Sequence, residues 1–178
     1  MSARTKIGPV PWMDERQLAD KVLDRLGQHF HIAREVGGTH WGGSRLRLDA
    51  VLKPKDPSGW KGGDSVALGV EFKDPSRLAV DAAGPLQWLA QCQDYTATDW
   101  DSYGPLYVFT CPSLSGLLPP DGRWWVERIM GQMGIGELYQ HPALGWTFSL
   151  HGSQRLWTEK GGTERGKDWS LTRKVGSR

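Results

Sequence analysis

RLRLDAVL (45–52), KPKDPSGWKGGDS (53–65) and VALGVEFK (66–73) run without interruption from Arg45 to Lys73, two apolar-alternating segments around a polar loop. Side chains alternate faces along a strand. Glu71 and Lys73 therefore share one face, while Val70 and Phe72 turn to the other and into a core. Paired as neighbours, the two segments set Asp49 against Glu71. Two carboxylates and one ammonium then meet at a sheet edge.

That set suits metal-assisted phosphodiester hydrolysis. Mg²⁺ takes carboxylate and carbonyl oxygens and keeps several waters, and Asp49, Glu71 and the backbone carbonyl of Phe72 supply such a shell. Mn²⁺ is expected to substitute. Lys73 would orient or deprotonate the attacking water and balance charge on the phosphate. The spacing Asp49, twenty-one residues, Glu71-Phe72-Lys73 resembles the PD-(D/E)xK nuclease superfamily, with Leu48 where the name has proline. The plain alternative is a solvated cross-strand Glu–Lys pair, but Glu71-Phe72-Lys73 is the one Asp/Glu-x-Lys triplet in the chain.

The flanking elements extend the resemblance. DERQLADKVLDRLGQHF (14–30) carries Leu18, Val22, Leu26 and Phe30 on one stripe, which predicts an amphipathic helix from about Asp14 to His29. FHIAREV (30–36) alternates as a strand ending at Gly37-Gly38, and GGTHWGGS reads as the turn into Arg45. LQWLAQCQDYTATDW (86–100) is expected as a helix and LYVFT (106–110) as a buried strand. RWWVERIMGQM (123–133) reads as a helix, and GELYQ and GWTFSL as short strands. The order α-β-β-β-α-β predicts an α/β fold, a mixed central sheet flanked by helices. It resembles the restriction-endonuclease-like core over residues 14–112.

By resemblance to archaeal-type Holliday-junction resolvases, Glu15 is the extra acid of the metal site, with Glu35 as its rival; Glu15 would otherwise stabilise a helix N-terminus. Gln91-Cys92-Gln93-Asp94-Tyr95 is similar to the QxxxY pattern of RecB-like nucleases. It implies that Gln91, or alternatively Gln87, bonds a metal water or the lysine, and that Tyr95 contacts the nucleic-acid backbone.

Composition bounds the rest. The 178 residues, 38% hydrophobic with mean hydropathy −0.50, make one domain, taken as 1–158, followed by a basic tail over 159–178. Residues 160–178 hold six basic side chains against two acidic, a net +4 that leaves −2 elsewhere. Such a tail either grips phosphates or is a solvated end. No run approaches the ~20 apolar residues of a membrane span. The segment MSARTKIGPVPW has no apolar signal core, so a cytoplasmic location is expected. Cys92 and Cys111 lack metal spacing and read as buried thiols.

The five histidines make no zinc spacing. Gly161-x-x-x-x-Gly166-Lys167 imitates a phosphate loop, but Asp168 stands where Ser or Thr is needed. Of ten tryptophans, Trp41 and Trp60 sit in Gly-flanked loops and are candidates to stack on bases. Trp124, Trp125 and Trp146 are expected in the core or at a dimer face. Lys53, Lys55 and Lys61 are expected to neutralise the DNA backbone.

The expectation is an Mg²⁺-dependent deoxyribonuclease for repair, recombination or phage DNA processing. A homodimer would be needed to cut two strands symmetrically, and a partner protein could target the enzyme. The alternatives are a catalytically silent nucleic-acid-binding or assembly protein of the same fold, and a nuclease acting on RNA.

Overall fold

The computed structural model describes residues 13–60, 62–78, 83–150 and 154–164. Helix α1 (Glu15–Leu26) starts in a capping box: Gln17 N–H donates to the Asp14 carboxylate at 2.8 Å, and Asp14 N–H donates to the Gln17 side chain at 3.2 Å. Two orphan donors are satisfied reciprocally. Leu18, Val22, Leu23 and Leu26 are buried, as the stripe required. Strands β1 (Phe30–His40), β2 (Arg45–Pro54) and β3 (Leu68–Phe72) follow, then the short α2 (Pro75–Leu78) and α3 (Ala83–Thr96). A small hairpin, β4 (Thr98–Trp100) with β5 (Gly104–Pro105), leads to β6 (Tyr107–Cys111) and α4 (Pro120–Met133). The described residues finish with β7 (Ile135–His141), β8 (Gly145–Leu150), β9 (Gln154–Thr158) and β10 (Gly162–Thr163).

The ten strands of the described residues join one mixed sheet in the order β10-β9-β8-β7-β6-β3-β2-β1-β4-β5. β3–β6 and β6–β7 are parallel, and α3 and α4 lie in the crossovers between them. β3 and β6 are buried along their whole length, as parallel strands covered on both faces must be. One core joins Val22 and Leu26 of α1 to Leu52, Val70, Phe109 and Phe148. The other packs α3 and α4 through Trp88, Cys92 and Met130 on Val51, Val108 and Ile135. The molecule is thus α/β with helices on both faces.

Three expectations are corrected. The helix expected through Trp100 stops at Thr96, because side chains claim its last carbonyls. Thr96 Oγ1 donates to Gln93 O and Thr98 Oγ1 to Asp94 O, each at 2.8 Å, and Trp100 Nε1 donates to Tyr95 O at 3.1 Å. The first strand does not end at Gly37-Gly38 but continues to His40. A Cβ on Gly37 would lie 2.6 Å from the Arg45 guanidinium, and one on Gly38 2.6 Å from the Trp100 ring. These glycines let side chains lie against the strand rather than turn it. Thirdly, Trp60 is 5% exposed and packs against Phe30, while Trp124 and Trp125 lie outside the core on α4, 56% and 60% exposed, which leaves of their two expected places only the dimer face. Trp146 packs at the margin of the α1-side core.

Cys92 and Cys111 are buried free thiols, pushed above their ordinary pKa by burial. Of the segment assigned to the tail, Gly162 and Thr163 pair with β9; residues 165–178 lie outside the described ones. Gly136, between β6 and β8, is a test of packing. A Cβ there would meet the Phe109 ring at 2.4 Å and Ser149 O at 2.7 Å. Gly136→Ala is expected to cost about 1–3 kcal/mol, read as a lower urea midpoint at unchanged slope.

Candidate active site

β2 and β3 pair through Leu52↔Leu68, Val51↔Gly69 and Ala50↔Val70, and then separate. Next in register stand Asp49 and Glu71. Where the ladder stops, the Phe72 N–H needs another acceptor, and Asp49 Oδ2 accepts it at 2.7 Å. The Asp49 carboxylate is therefore built into the fork of the sheet.

Side-chain alternation slips at the same place. Leu46 and Leu48 join the α3-side core, whereas Ala50 and Leu52 join the α1-side core. In β1, Ile32 packs on the α1 side and Val36 on the α3 side. Between them Glu35, level with Asp49 in the register, has a φ of 53°. A left-handed non-glycine residue costs about 1–3 kcal/mol. Here it turns the β1–β2 hairpin from one core to the other, and the turn opens a cleft of about 560 Å³ beside Asp49 and Phe72.

Glu71 is 2% exposed. Its Oε1 accepts from Lys73 Nζ at 2.9 Å and from Gln91 Nε2 at 3.2 Å. Its Oε2 is buried and receives no hydrogen bond. Burial, then the charge of Asp49, push the Glu71 carboxyl up to about 8 against the opposing pull of Lys73. Burial lowers Lys73, but the charge and hydrogen bond of Glu71, with Glu15 and Asp49 beyond, outweigh it and hold the ammonium above its ordinary value. Lys73 is thus a cation throughout the neutral range.

α3 supplies the support. Gln91 also donates to Tyr95 Oη at 2.6 Å, one helical turn away. Gln91, and not the exposed Gln87, makes the contact. Tyr95 is 6% exposed and packs edge-on to Trp100 at 5.5 Å. It holds Gln91 in place instead of meeting a nucleic-acid backbone, which corrects the expectation for it. Burial and Glu71 push its hydroxyl upward.

Glu15 and Glu35 both line the cleft. Asp14 performs the capping of α1, and Glu15 is near enough to raise Lys73. Glu35 faces Arg47 at 3.6 Å.

The lysines are not gathered here. Lys53 pairs with His31 in the ladder, and Lys55 donates to Gly27 O at 2.6 Å, capping the far end of α1. Both lie on the length of β2 that runs away from the fork, or just past it, and Lys61 falls outside the described residues. Arg16, Arg34 and Arg47 line the cleft instead. Arg47 was legible as a residue two positions from Asp49 on an alternating strand; Arg16 and Arg34 carried no such signal.

Among the described residues no three His, Cys, Asp or Glu side chains form a ready metal cluster. No protein-family model, curated protein or solved structure matches the chain.

Proposed function

We propose that the chain is a divalent-cation-dependent phosphodiesterase acting on DNA, built on a restriction-endonuclease-like core. The observation that carries this reading is the fork. Asp49, Glu71 and Lys73 stand together there, with one buried Glu71 oxygen left without a hydrogen-bond donor. A buried carboxyl pushed up to about 8 first by burial and then by the charge of Asp49 forms, with Asp49, a site that a cation would relieve. The donor set is all oxygen, which suits Mg²⁺ or Mn²⁺.

Asp49, Glu71 and the Phe72 carbonyl would hold the ion, with Glu15 reaching it through water. Bound there, it would supply Lewis acidity toward the phosphate and a more acidic water. The protein's own groups do the rest. Lys73, held above its ordinary value by the Glu71 charge and hydrogen bond, presents an ammonium beside the site. It acts as a donor, orienting the attacking water and offsetting negative charge on the phosphate oxygens. Gln91, braced by Tyr95, fixes the rotation of the Glu71 carboxylate. Gln91→Ala is expected to reduce cleavage about 10–100-fold, the scale of outer-shell partners at metal sites.

The test is cleavage of supercoiled plasmid, linear duplex and single strands with Mg²⁺, Mn²⁺ or EDTA. Metal-dependent cutting abolished by EDTA is expected, and nicked circles against shortened linear ends separate endonuclease from exonuclease. Absence of cutting on every substrate, with binding retained in a gel shift, would assign the chain to non-catalytic nucleic-acid binding.

A further inference from the structure

Beyond the fork, β1 and β2 continue over residues 36–48 as an arm that β3 does not follow, with β4 paired to the outer edge of β1 at residues 38–40. The arm holds two arginines and no acidic residue: VGGTHWGGSRLRL. Leu46 and Leu48 face the α3-side core. Alternation therefore turns Arg45 and Arg47 to the opposite face, the one on which Arg47 lines the cleft. Asp49 continues this series toward the fork.

Trp41 stands at the tip of the arm, 83% exposed, yet it is held. Its backbone N–H donates to Ala97 O at 3.3 Å, just past the end of α3. Its ring lies 5.5 Å from that of His40. His40 is in turn fixed by the Gly42 N–H donating to Nδ1 at 3.1 Å, and its Nε2 is 3.9 Å from Asp94. The arm is braced from below, where Trp100 packs on the bare backbone of Gly38. Burying a tryptophan is the ordinary outcome; presenting one on a braced tip costs exposed apolar area.

Arg45 donates to Asp101 at 2.7 and 3.1 Å and to Thr39 at 2.9 Å. The pairs Arg45–Asp101 and Arg47–Glu35 have side chains 57–69% exposed. The Arg47–Glu35 pair, one 3.6 Å contact open to water, holds little energy, so a phosphate can take over that guanidinium. Asp101 and Thr39 hold the Arg45 fork in place, with N–H groups left over for a phosphate.

We infer that the arm is the substrate-selecting surface of the site and that it takes a strand with unpaired bases. Arg47 and Arg45 contact successive phosphates leading away from the fork, and Trp41 stacks on a base at the far end. This rests on the reading above for the position of the scissile phosphate. About six residues of strand separate Glu35 from Trp41, about 20 Å at ~3.3 Å per residue. A base within an intact duplex offers no free face to an isolated indole at that distance, whereas an unpaired base does.

The experiment is fluorescence anisotropy with a labelled single strand of about 20 nucleotides, longer than one ordinary binding site, and the blunt duplex of the same length, in EDTA and in Ca²⁺. Trp41→Ala is expected to weaken single-strand binding about tenfold, the scale of one lost stacking platform. Trp41→Phe should recover most of it, and Trp125→Ala, which removes another exposed indole from α4, should change nothing. Arg47→Gln should lessen the salt dependence of single-strand binding by about 0.7 in log–log slope. Single-strand affinity of Trp41→Ala within about twofold of wild type, well short of one stacking contact, or an equal loss on duplex, would overturn the inference. Cleavage is scored separately: Trp41-dependent binding without metal-dependent cutting upholds the arm and rejects the catalytic reading, and cutting with Trp41-independent binding does the reverse.

Discussion

Lys73→Ala is expected to lower metal-dependent cleavage about 10²–10⁴-fold, the scale of a positioned proton-handling or donor group, while the protein stays folded. The fold survives because of what Glu71 does when its partner goes. Lys73 is the group that pulls the Glu71 carboxyl down, against burial and Asp49. Without the ammonium, Glu71 holds its proton to higher pH and remains a neutral buried acid, so no uncompensated charge is left behind. Lys73→Arg is the informative companion. Arginine keeps the charge but presents a planar fork in place of a compact ammonium, so partial activity would assign Lys73 a charge role, and none would assign it a positioning role. Asp49→Ala removes both a carboxylate and the acceptor for the Phe72 N–H at 2.7 Å. It should therefore lose activity and some stability together, whereas Asp49→Asn keeps an acceptor and should lose activity alone. Wild-type rates in Lys73→Ala would refute the proposed chemistry outright. Circular dichroism and urea midpoints on the same samples separate loss of function from loss of fold.

The second large effect concerns pH. The Glu71 carboxyl stands at about 8 in the folded protein against an ordinary 4.5. The folded state therefore binds this proton more tightly than the unfolded chain does. The stabilisation is complete below about 4.5, and it is lost progressively as pH rises through about 8. Within that window each pH unit removes up to about 1.4 kcal/mol from this group. Wild-type stability is expected to fall from about pH 5 to about pH 9, and Glu71→Gln, a neutral side chain of the same shape, should flatten that slope. A divalent cation acts in the opposite direction, because it takes the deprotonated carboxylate. Mg²⁺ should raise the melting temperature more at about pH 8.5 than at about pH 6, and should not do so in Glu71→Gln. A slope equally steep in Glu71→Gln would show that another group carries it, and a pH-independent Mg²⁺ shift would place the ion elsewhere.

Much of the site was readable in one dimension because its rules are local. Period 2 put Glu71 and Lys73 on one face, and Lys73 Nζ donates to Glu71 at 2.9 Å. The four-residue helical spacing put Tyr95 under Gln91. The stripe of Leu18, Val22 and Leu26 and the Asp14 cap fixed α1. These depend on near neighbours along the chain, whose relation is set by backbone geometry.

What failed was everything that depends on where strands part. Lys53 is as far from Asp49 in sequence as Arg45 is, yet the fork lies on the arginine's side and the lysine extends away from it. Glycines 37 and 38 read as a turn, because their role is to admit Arg45 and a tryptophan sixty-two residues from Gly38. Trp60 and Trp41 looked alike between their glycines, and only the surrounding elements buried one against Phe30 and left the other in water. The sequence by itself determined α1, the strands β1 to β3, the body of α3, their amphipathic faces and the acid–acid–lysine set, while β4, β5, β9 and β10 went unread. The tertiary structure decided where the sheet splits, and with it which charges share the cleft, since desolvation and close approach arise only when distant segments pack.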